Sequence, residues 1–522
     1  MYTTGMQTAS DGPAAGHLWA MEQWGTVELG DRRLTRRAVA VGARIAEQTA
    51  ASLPMQMEDW GELKGAYRLL NNSRVSLEKL TAPHRQATLK RASMMAPVVA
   101  PVVAPVVTWL RSRPVVLMVE DNTELDFTRP QPIRGLGPIG NGGRKGLILH
   151  STLAVDPTTR SVLGLAHIQA IVRVATPKPR PKGYRSDESK VWERSVEEVG
   201  SPQAEADATD VIWIHVSDRG SDIFEYMSSC VEHKKHFVVR GKVNRFIGVD
   251  PYDEEGDDDD DDDIQHESQR QLLNYIRTLA PATDTSTNGN GNGAYTYTVQ
   301  VPPRKAQPAR TAQVSLSWAK VELAVPAYLP PEVRAKGPLT VWVVRVFEPN
   351  PPLTVKPIEW ILLTSLPVLT LADAKQIVAY YECRWIIEEY HMCLKTGCNI
   401  EARQLDSRDD IERLLGFAAP TAVRLVQLKQ VVNETPDRLA CEAPEVVDPL
   451  MLRVLALRQK VAATALTLAE FWKRVARLGG YIGRKSDGAP GWRTLWRGWQ
   501  RLSELTEGAR LVTLPISNKS SG

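Results

Sequence analysis

Two apolar runs, Val115-Val-Leu-Met-Val and Val211-Ile-Trp-Ile-His-Val, each reach an aspartate two residues on, Asp121 and Asp218. Runs of this kind predict strands, and they do not stand alone. Further apolar segments predict strands over 147–155, 162–172 and 236–239, and amphipathic segments predict helices over 188–199 and 221–232. The order is three strands, a helix, a strand, a helix and a strand, which implies a mixed α/β sheet with helices on its faces.

In α/β sheets the carboxyl ends of strands are where functional side chains gather, so Asp121 and Asp218 are placed to share a metal ion. Acids after strands also serve as helix caps and turn residues, and Asp121 is followed by Asn122-Thr123, which suits a turn. A third acid adds weight. A long helical region is expected from near residue 371 to beyond 395, and at about 100° per residue it sets Tyr381, Arg384, Glu388 and Lys395 within a sector of about 60°. Such a stripe also reads as a surface helix with internal ion pairs, but Trp385, Ile386 and Ile387 flank it and imply packing against protein.

The rest of the chain divides by composition. Leu34, Ala38, Val41 and Ile45 give a helical period behind Gly30-Asp31, which suits an N-cap. Its other face carries Arg32, Arg33, Arg36, Arg37 and Arg44, either phosphate contacts or a solvated basic face. A second helical piece, 65–72, adds Tyr67 and Arg68. A tetrapeptide, Ala-Pro-Val-Val, repeats three times over 96–107 and reads as a semi-rigid spacer. From 242 to about 357 the pattern is that of a β-rich insertion with strands such as 295–301 and 339–347; its acidic run and its Asn/Gly-rich stretch, 287–293, read as mobile loops. Another strand is expected over 360–364. The tail is helical, with Trp492, Trp496 and Trp499 on one face, read as a small helical core or a self-association surface.

Charge points to a polyanionic partner. Ten acids lie in one run, Asp253 to Glu255 and Asp257 to Asp263, and setting these ten negative charges aside turns the formal +3 of the 522-residue chain into +13. Five cysteines without C-x-x-C spacing argue against a zinc site and read as buried, reduced thiols. No apolar run reaches membrane-spanning length and no signal peptide is evident, so a soluble cytoplasmic protein without a membrane partner is expected. The glycines over 135–146 lack the Gly-Lys-Ser/Thr ending of a nucleotide-binding loop. A glycosidase with paired carboxylates would leave the basic surplus and the Arg/Lys stripe unexplained.

The signature Tyr381, Arg384, Glu388, Lys395, together with Val119-Glu-Asp-Asn-Thr123 and Ser217-Asp-Arg-Gly-Ser-Asp-Ile223, resembles the insertion-sequence-four family of transposases, to which the transposon five transposase belongs. The resemblance extends to Gly30-Asp-Arg-Arg33 and Gly65-Ala-Tyr-Arg68 in a DNA-binding module, to Glu359-Trp-Ile-Leu-Leu-Thr364 where an extruded base stacks, and to Ala476-Arg-Leu-Gly-Gly480 and 492–499 in a dimerisation region. The Ala-Pro-Val-Val repeat and the acidic run depart from the family pattern.

What the resemblance implies is a cut-and-paste DNA transposase with an RNase H-like catalytic core. Asp121, Asp218 and Glu388 would bind two Mg²⁺ ions, for which Mn²⁺ can substitute. Successive steps, through a hairpin intermediate, would cleave transposon ends and join their 3′-hydroxyls to target DNA. Arg32, Arg33, Arg36, Tyr67, Arg68, Arg240, Lys242, Trp360, Tyr381, Arg384 and Lys395 would contact DNA, with Trp360 stacking on the extruded base. The expected organisation is a helical DNA-binding domain (1–95), a Pro-rich linker (96–110), the core in two parts (111–241 and 358–432) around the insertion (242–357), and a helical dimerisation domain (433–522) that makes a homodimer on DNA, nucleoid-associated when bound. The alternatives are a structure-specific DNA nuclease of the same fold and a domesticated, non-catalytic DNA-binding protein.

Overall fold

The computed structural model describes residues 15–95, 113–140, 143–174, 185–202, 211–248, 270–283, 295–301, 308–353, 355–444, 446–484 and 487–513. The Ala-Pro-Val-Val repeat, the acidic run and the Asn/Gly-rich stretch lie outside them. The chain divides into two compact units, one of residues 87–124 and 137–388, the other of residues 1–86, 125–136 and 389–522. No helix among the described residues is long and apolar enough to cross a membrane.

The N-terminal helices are α1 (Ala15–Trp24), α2 (Arg32–Glu47), α3 (Leu53–Gln56) and α4 (Trp60–Leu70), followed by α5 (Leu77–Ser93). Asp31 caps α2 by accepting from the Arg33 amide at 2.8 Å, as the Gly30-Asp31 start predicts. The apolar period then buries Ala38, Val41 and Ile45 and leaves the arginines outside.

The larger unit is built on one sheet of eleven strands. Its main path runs β2 (Gly137–Ile139), β3 (Arg144–Val155), β1 (Val115–Asp126), β5 (Ile212–Ser217), β6 (His236–Arg240), β11 (Glu359–Thr364), β10 (Leu339–Phe347), β9 (Arg310–Leu323) and β7 (Ile247–Gly248). Off this path β4 (Val162–Ile171) pairs with β3, and β8 (Thr296–Val301) with β9. β1, β5 and β6 are parallel; β11, β10 and β9 continue antiparallel. The β-rich insertion therefore extends the core sheet through β11. β1 exceeds expectation, running on past Asp121 to Asp126, and β9, of 14 residues, is a strand the sequence pattern did not single out. Helices α6 (Asp187–Val199) and α7 (Phe224–Glu232) bury Trp192, Val196, Tyr226 and Met227 against Phe237, Val343 and Leu363. Two shorter helices, α8 (Leu272–Thr278) and α9 (Pro331–Arg334), belong to the insertion.

The long helix expected from residue 371 is broken. Helix α10 (Leu371–Glu382), opened by a capping box between Thr370 and Asp373, ends before Cys383-Arg384; α11 (Trp385–Met392) follows and passes into a π-type turn, Cys393–Gly397. A straight 100° progression thus does not hold through to Lys395, because the π turn holds more residues per turn.

The C-terminal helices α12 (Arg408–Glu434), α13 (Pro449–Gln459), α14 (Leu468–Leu478) and α15 (Trp492–Thr513) enclose a core of Leu455, Phe471, Val475, Leu495 and Leu502. Trp496 is buried, and Trp499 stacks on Trp472 with ring centres 5.1 Å apart, so these tryptophans serve the helical core. Four cysteines are buried free thiols, but Cys441, in a short 3₁₀ turn, is exposed, contrary to expectation.

Candidate active site

The pairing of β1 with β5 sets the first two acids side by side. The parallel register runs from Val115 opposite Ile212 to Glu120 opposite Ser217, so Asp121 and Asp218 follow at the same level. Side chains alternate along a strand, which sends both aspartates to the face opposite Glu120 and Ser217. Each acid also makes the local bond its turn calls for: Asp121 Oδ1 accepts from the Asn122 amide at 2.8 Å, and Asp218 Oδ1 from the Gly220 amide at 2.6 Å. The capping role weighed for such acids is therefore real for Asp218 and leaves its other oxygen available.

Arg384 and Glu388 arrive from the helical region. Past the break at Cys383-Arg384 the Arg384 residue is buried, and its Nη1 donates to Asp121 Oδ2 at 3.0 Å and Nη2 to Glu388 Oε1 at 3.2 Å. Carboxylate oxygens of Asp121 and Glu388 come within 4.8 Å of each other, and Glu388 stays partly open to solvent. Burial, with the charges of Asp218 and Glu388 adding to it and Arg384 opposing, pushes the Asp121 carboxyl up to about 7. Three carboxylates with one guanidinium leave an excess of negative charge. A hard divalent cation with oxygen-ligand preference fits such a set of carboxylates, of which Asp121 and Glu388 bring ligand oxygens within 4.8 Å of each other.

Beside this cluster Trp360, Tyr381 and Arg240 come together. Trp360 and Tyr381 meet edge to face at 5.4 Å, and the Arg240 guanidinium lies 5.8 Å from the Trp360 ring centre and donates to the Glu359 carbonyl at 3.3 Å. Trp360 is half-buried, but Tyr381 is only 3% exposed, which suits it to supporting Trp360 and Arg240 more than to gripping a phosphate itself. Lys242 is exposed; its amide and that of Val243 donate to Asp222 Oδ2 at 2.6 and 2.7 Å, and Arg245 binds the other oxygen of Asp222 at 2.7 Å. Asp222, buried inside the second acidic motif, organises this turn, a role the sequence reading missed. Lys395 is half-buried in the π turn. His391, one turn past Glu388 on α11 and buried, also went unremarked; its three-residue spacing from an acid was the available signal.

In the other unit, Arg32, Arg33, Arg36 and Arg68 are exposed and Tyr67 is at the surface. A groove of about 400 Å³ between α2 and α4 is lined by Arg33, Arg36, Arg37 and Arg44 above Gly61 and Gly65. Arg44 is committed to Glu58 and Glu62 and to Glu47 at 3.5 Å, and Arg33 to Asp31 at 3.1 Å. Arg36 and Arg37 face the groove with no acidic partner among the described residues.

Three family models match the chain. Residues 17–75 match transposase DNA-binding, residues 208–421 the transposase DDE domain, and residues 418–517 the transposase Tn5 dimerisation domain. The chain belongs to the Tn5-type DDE transposases. The DDE match contains Asp218 and Glu388 and begins after Asp121, which the strand register sets beside Asp218 and the Arg384 guanidinium links to Glu388. The basic groove falls within the DNA-binding match, and α14 and α15 fall within the dimerisation match. The transposase is thus a DNA-binding enzyme that uses a divalent metal to cut DNA, with a mixed-sheet RNase H-like core and helical N- and C-terminal regions.

Proposed function

We propose that this transposase excises its element by cutting both ends and joins the freed 3′-hydroxyls to target DNA, with Asp121, Asp218 and Glu388 as the metal-binding acids of one active site. The observation that carries the reading is that Asp121 and Glu388 share the Arg384 guanidinium while Asp218, level with Asp121 on the neighbouring strand, is close enough for its charge to act on Asp121. Two Mg²⁺ ions, or Mn²⁺ in their place, would supply the charge that activates the attacking oxygen and stabilises the leaving one.

The side chains of the chain then do the following work. The three carboxylates would hold the cations and through them orient the phosphate group. Arg384, held by Asp121 and Glu388, places a fixed positive charge beside the scissile phosphate, and Lys395 adds a second cation. Arg240, Trp360 and Tyr381 form a cationic and aromatic wall suited to receive an extruded base, as a hairpin route requires. Arg32, Arg33, Arg36, Tyr67, Arg68 and Lys242 hold transposon-end backbone. Water breaks the first P–O3′ bond and frees a 3′-hydroxyl; that hydroxyl displaces the 3′ oxygen at the opposite strand to form the hairpin, water reopens the hairpin and regenerates the 3′-hydroxyl, and this attacks a target phosphodiester with release of a target 3′ oxygen.

The dimerisation match favours paired ends over a nuclease that cuts without joining. The test is to incubate purified wild type and Glu388→Gln with Mg²⁺ and DNA carrying both flanks of the gene, and to map breaks and joints on sequencing gels. Paired-end breaks joined to target DNA by wild type alone are expected; breaks without joints would indicate a nuclease, and flank binding without breaks a domesticated DNA-binding protein.

A further inference from the structure

Behind the acids, on the opposite face of the sheet, lies a fully buried polar cluster. Glu120 has no solvent exposure, nor do His150 on β3 and His215 on β5. His215 Nδ1 hydrogen-bonds Glu120 Oε1, the Tyr226 hydroxyl donates to the same oxygen at 2.8 Å, and His150 Nε2 lies 3.3 Å from Glu120 Oε2. The cluster reaches both acidic motifs. His150 Nδ1 bonds Asn122 Oδ1 at 2.8 Å, and the Asn122 amide is the donor to Asp121. On the other side, Tyr226 lies 3.5 Å from Ser217 Oγ, Ser217 Oγ bonds Ser221 Oγ at 2.5 Å, and Ser221 Oγ donates to the Asp218 carbonyl at 2.9 Å. Trp192 closes the cluster, edge-on to His150 at 4.9 Å and to Tyr226 at 5.9 Å.

A buried carboxylate with two imidazoles is not a device for stability, since well-packed apolar residues of similar volume commonly serve as well or better. What directional bonds supply is a defined spacing between the groups they join. Here they join the residues flanking Asp121 to those flanking Asp218, across three strands and α7. We infer that Glu120 is a positioning residue: through His150, His215 and Tyr226 it fixes the backbone on either side of Asp121 and Asp218, so that both carboxylates meet the same cation. The inference rests on the reading of Asp121 and Asp218 as metal ligands.

The test is Mn²⁺ binding to the full-length protein, read by electron paramagnetic resonance, with the melting temperature of each variant measured alongside. Asp121→Asn abolishes the site and serves as the blank for acidic stretches elsewhere. Glu120→Gln, which keeps the shape but not the charge, is expected to weaken Mn²⁺ about tenfold, in the range for residues that orient metal ligands. Tyr226→Phe, which removes one hydroxyl, weakens it several-fold in the same direction and decides the matter if Glu120→Gln does not fold. Lower melting temperatures with wild-type Mn²⁺ affinity would make the cluster merely structural and overturn the inference while Asp121 keeps its role. Wild-type binding by Asp121→Asn would instead overturn the underlying ligand reading.

Discussion

The Asp121 carboxyl is buried beside two other acids, and its charged form is penalised until a cation arrives. Its pKa in the fold, about 7, stands above the ordinary aspartate value of 3.8, so the folded protein binds this proton more tightly than the unfolded chain does. Stability linked to that proton is fully present below pH 4 and is lost as pH rises through 7. A divalent cation replaces the proton. The melting temperature gained on adding Mg²⁺ is therefore expected to be larger at pH 8 than at pH 6, and scanning calorimetry of wild type against Asp121→Asn checks it; an equal gain at both pH values, or a gain that persists in the variant, defeats the assignment. The arginines of the N-terminal helices make a second contrast at this scale. Arg36→Ala or Arg37→Ala removes an unpaired cation, and each is expected to lower the slope of log affinity against log salt by about 0.9 for transposon-end DNA. Arg44→Ala removes one already committed to glutamates, so titrations over a range of salt should show its slope unchanged while the helix pair melts earlier.

Helix crossings explain why some elements were legible and others not. Helices α14 and α15 approach so closely that a Cβ on Gly479 would meet the Thr494 carbonyl, and one on Gly498 the Val475 carbonyl. In an isolated helix, alanine in place of Gly498 is worth about 0.5–1 kcal/mol of added stability. Across this contact it forces two backbones apart, and Gly498→Ala is expected to destabilise the C-terminal helices by about 1–3 kcal/mol, measured by denaturant unfolding; a more stable variant would show that the crossing is looser than described. Nothing in the sequence near Gly498 announces its distant partner, whereas the tryptophan spacing was readable because helix period is a local property, and Ala476-Arg-Leu-Gly-Gly480 only through its family resemblance. The strands β1 and β5 were readable for the same reason, and with them Asp121 and Asp218. The break before Trp385 was not, since no proline or glycine marks it, and it is what turns Arg384 inward onto Asp121 and Glu388. Nor was the buried cluster around Glu120: His150 and His215 lie 65 residues apart, and only the register of three strands brings them to one carboxylate.

At the scale of the whole molecule, the charge balance is the property that no single element carries. The formal +3 combines a surplus of +13 with ten acids concentrated in 253–263, and the field met by approaching DNA depends on both. Long-range steering is screened over about 10 Å at 0.1 M salt and about 3 Å at 1 M. Deleting 253–263 removes ten negative charges without touching the acids proposed for catalysis or the basic groove. The deleted form is expected to associate with non-specific DNA faster and more tightly at low salt, and the difference should vanish as salt rises toward 1 M. In a dimer the same deletion acts twice, so the effect on paired-end complexes should exceed that on single ends. Stopped-flow association with labelled duplexes at several salt concentrations separates the possibilities. A difference that persists at high salt would mean that the run acts through specific contacts, and no difference at low salt would mean that its charge is not felt at the DNA-binding surface.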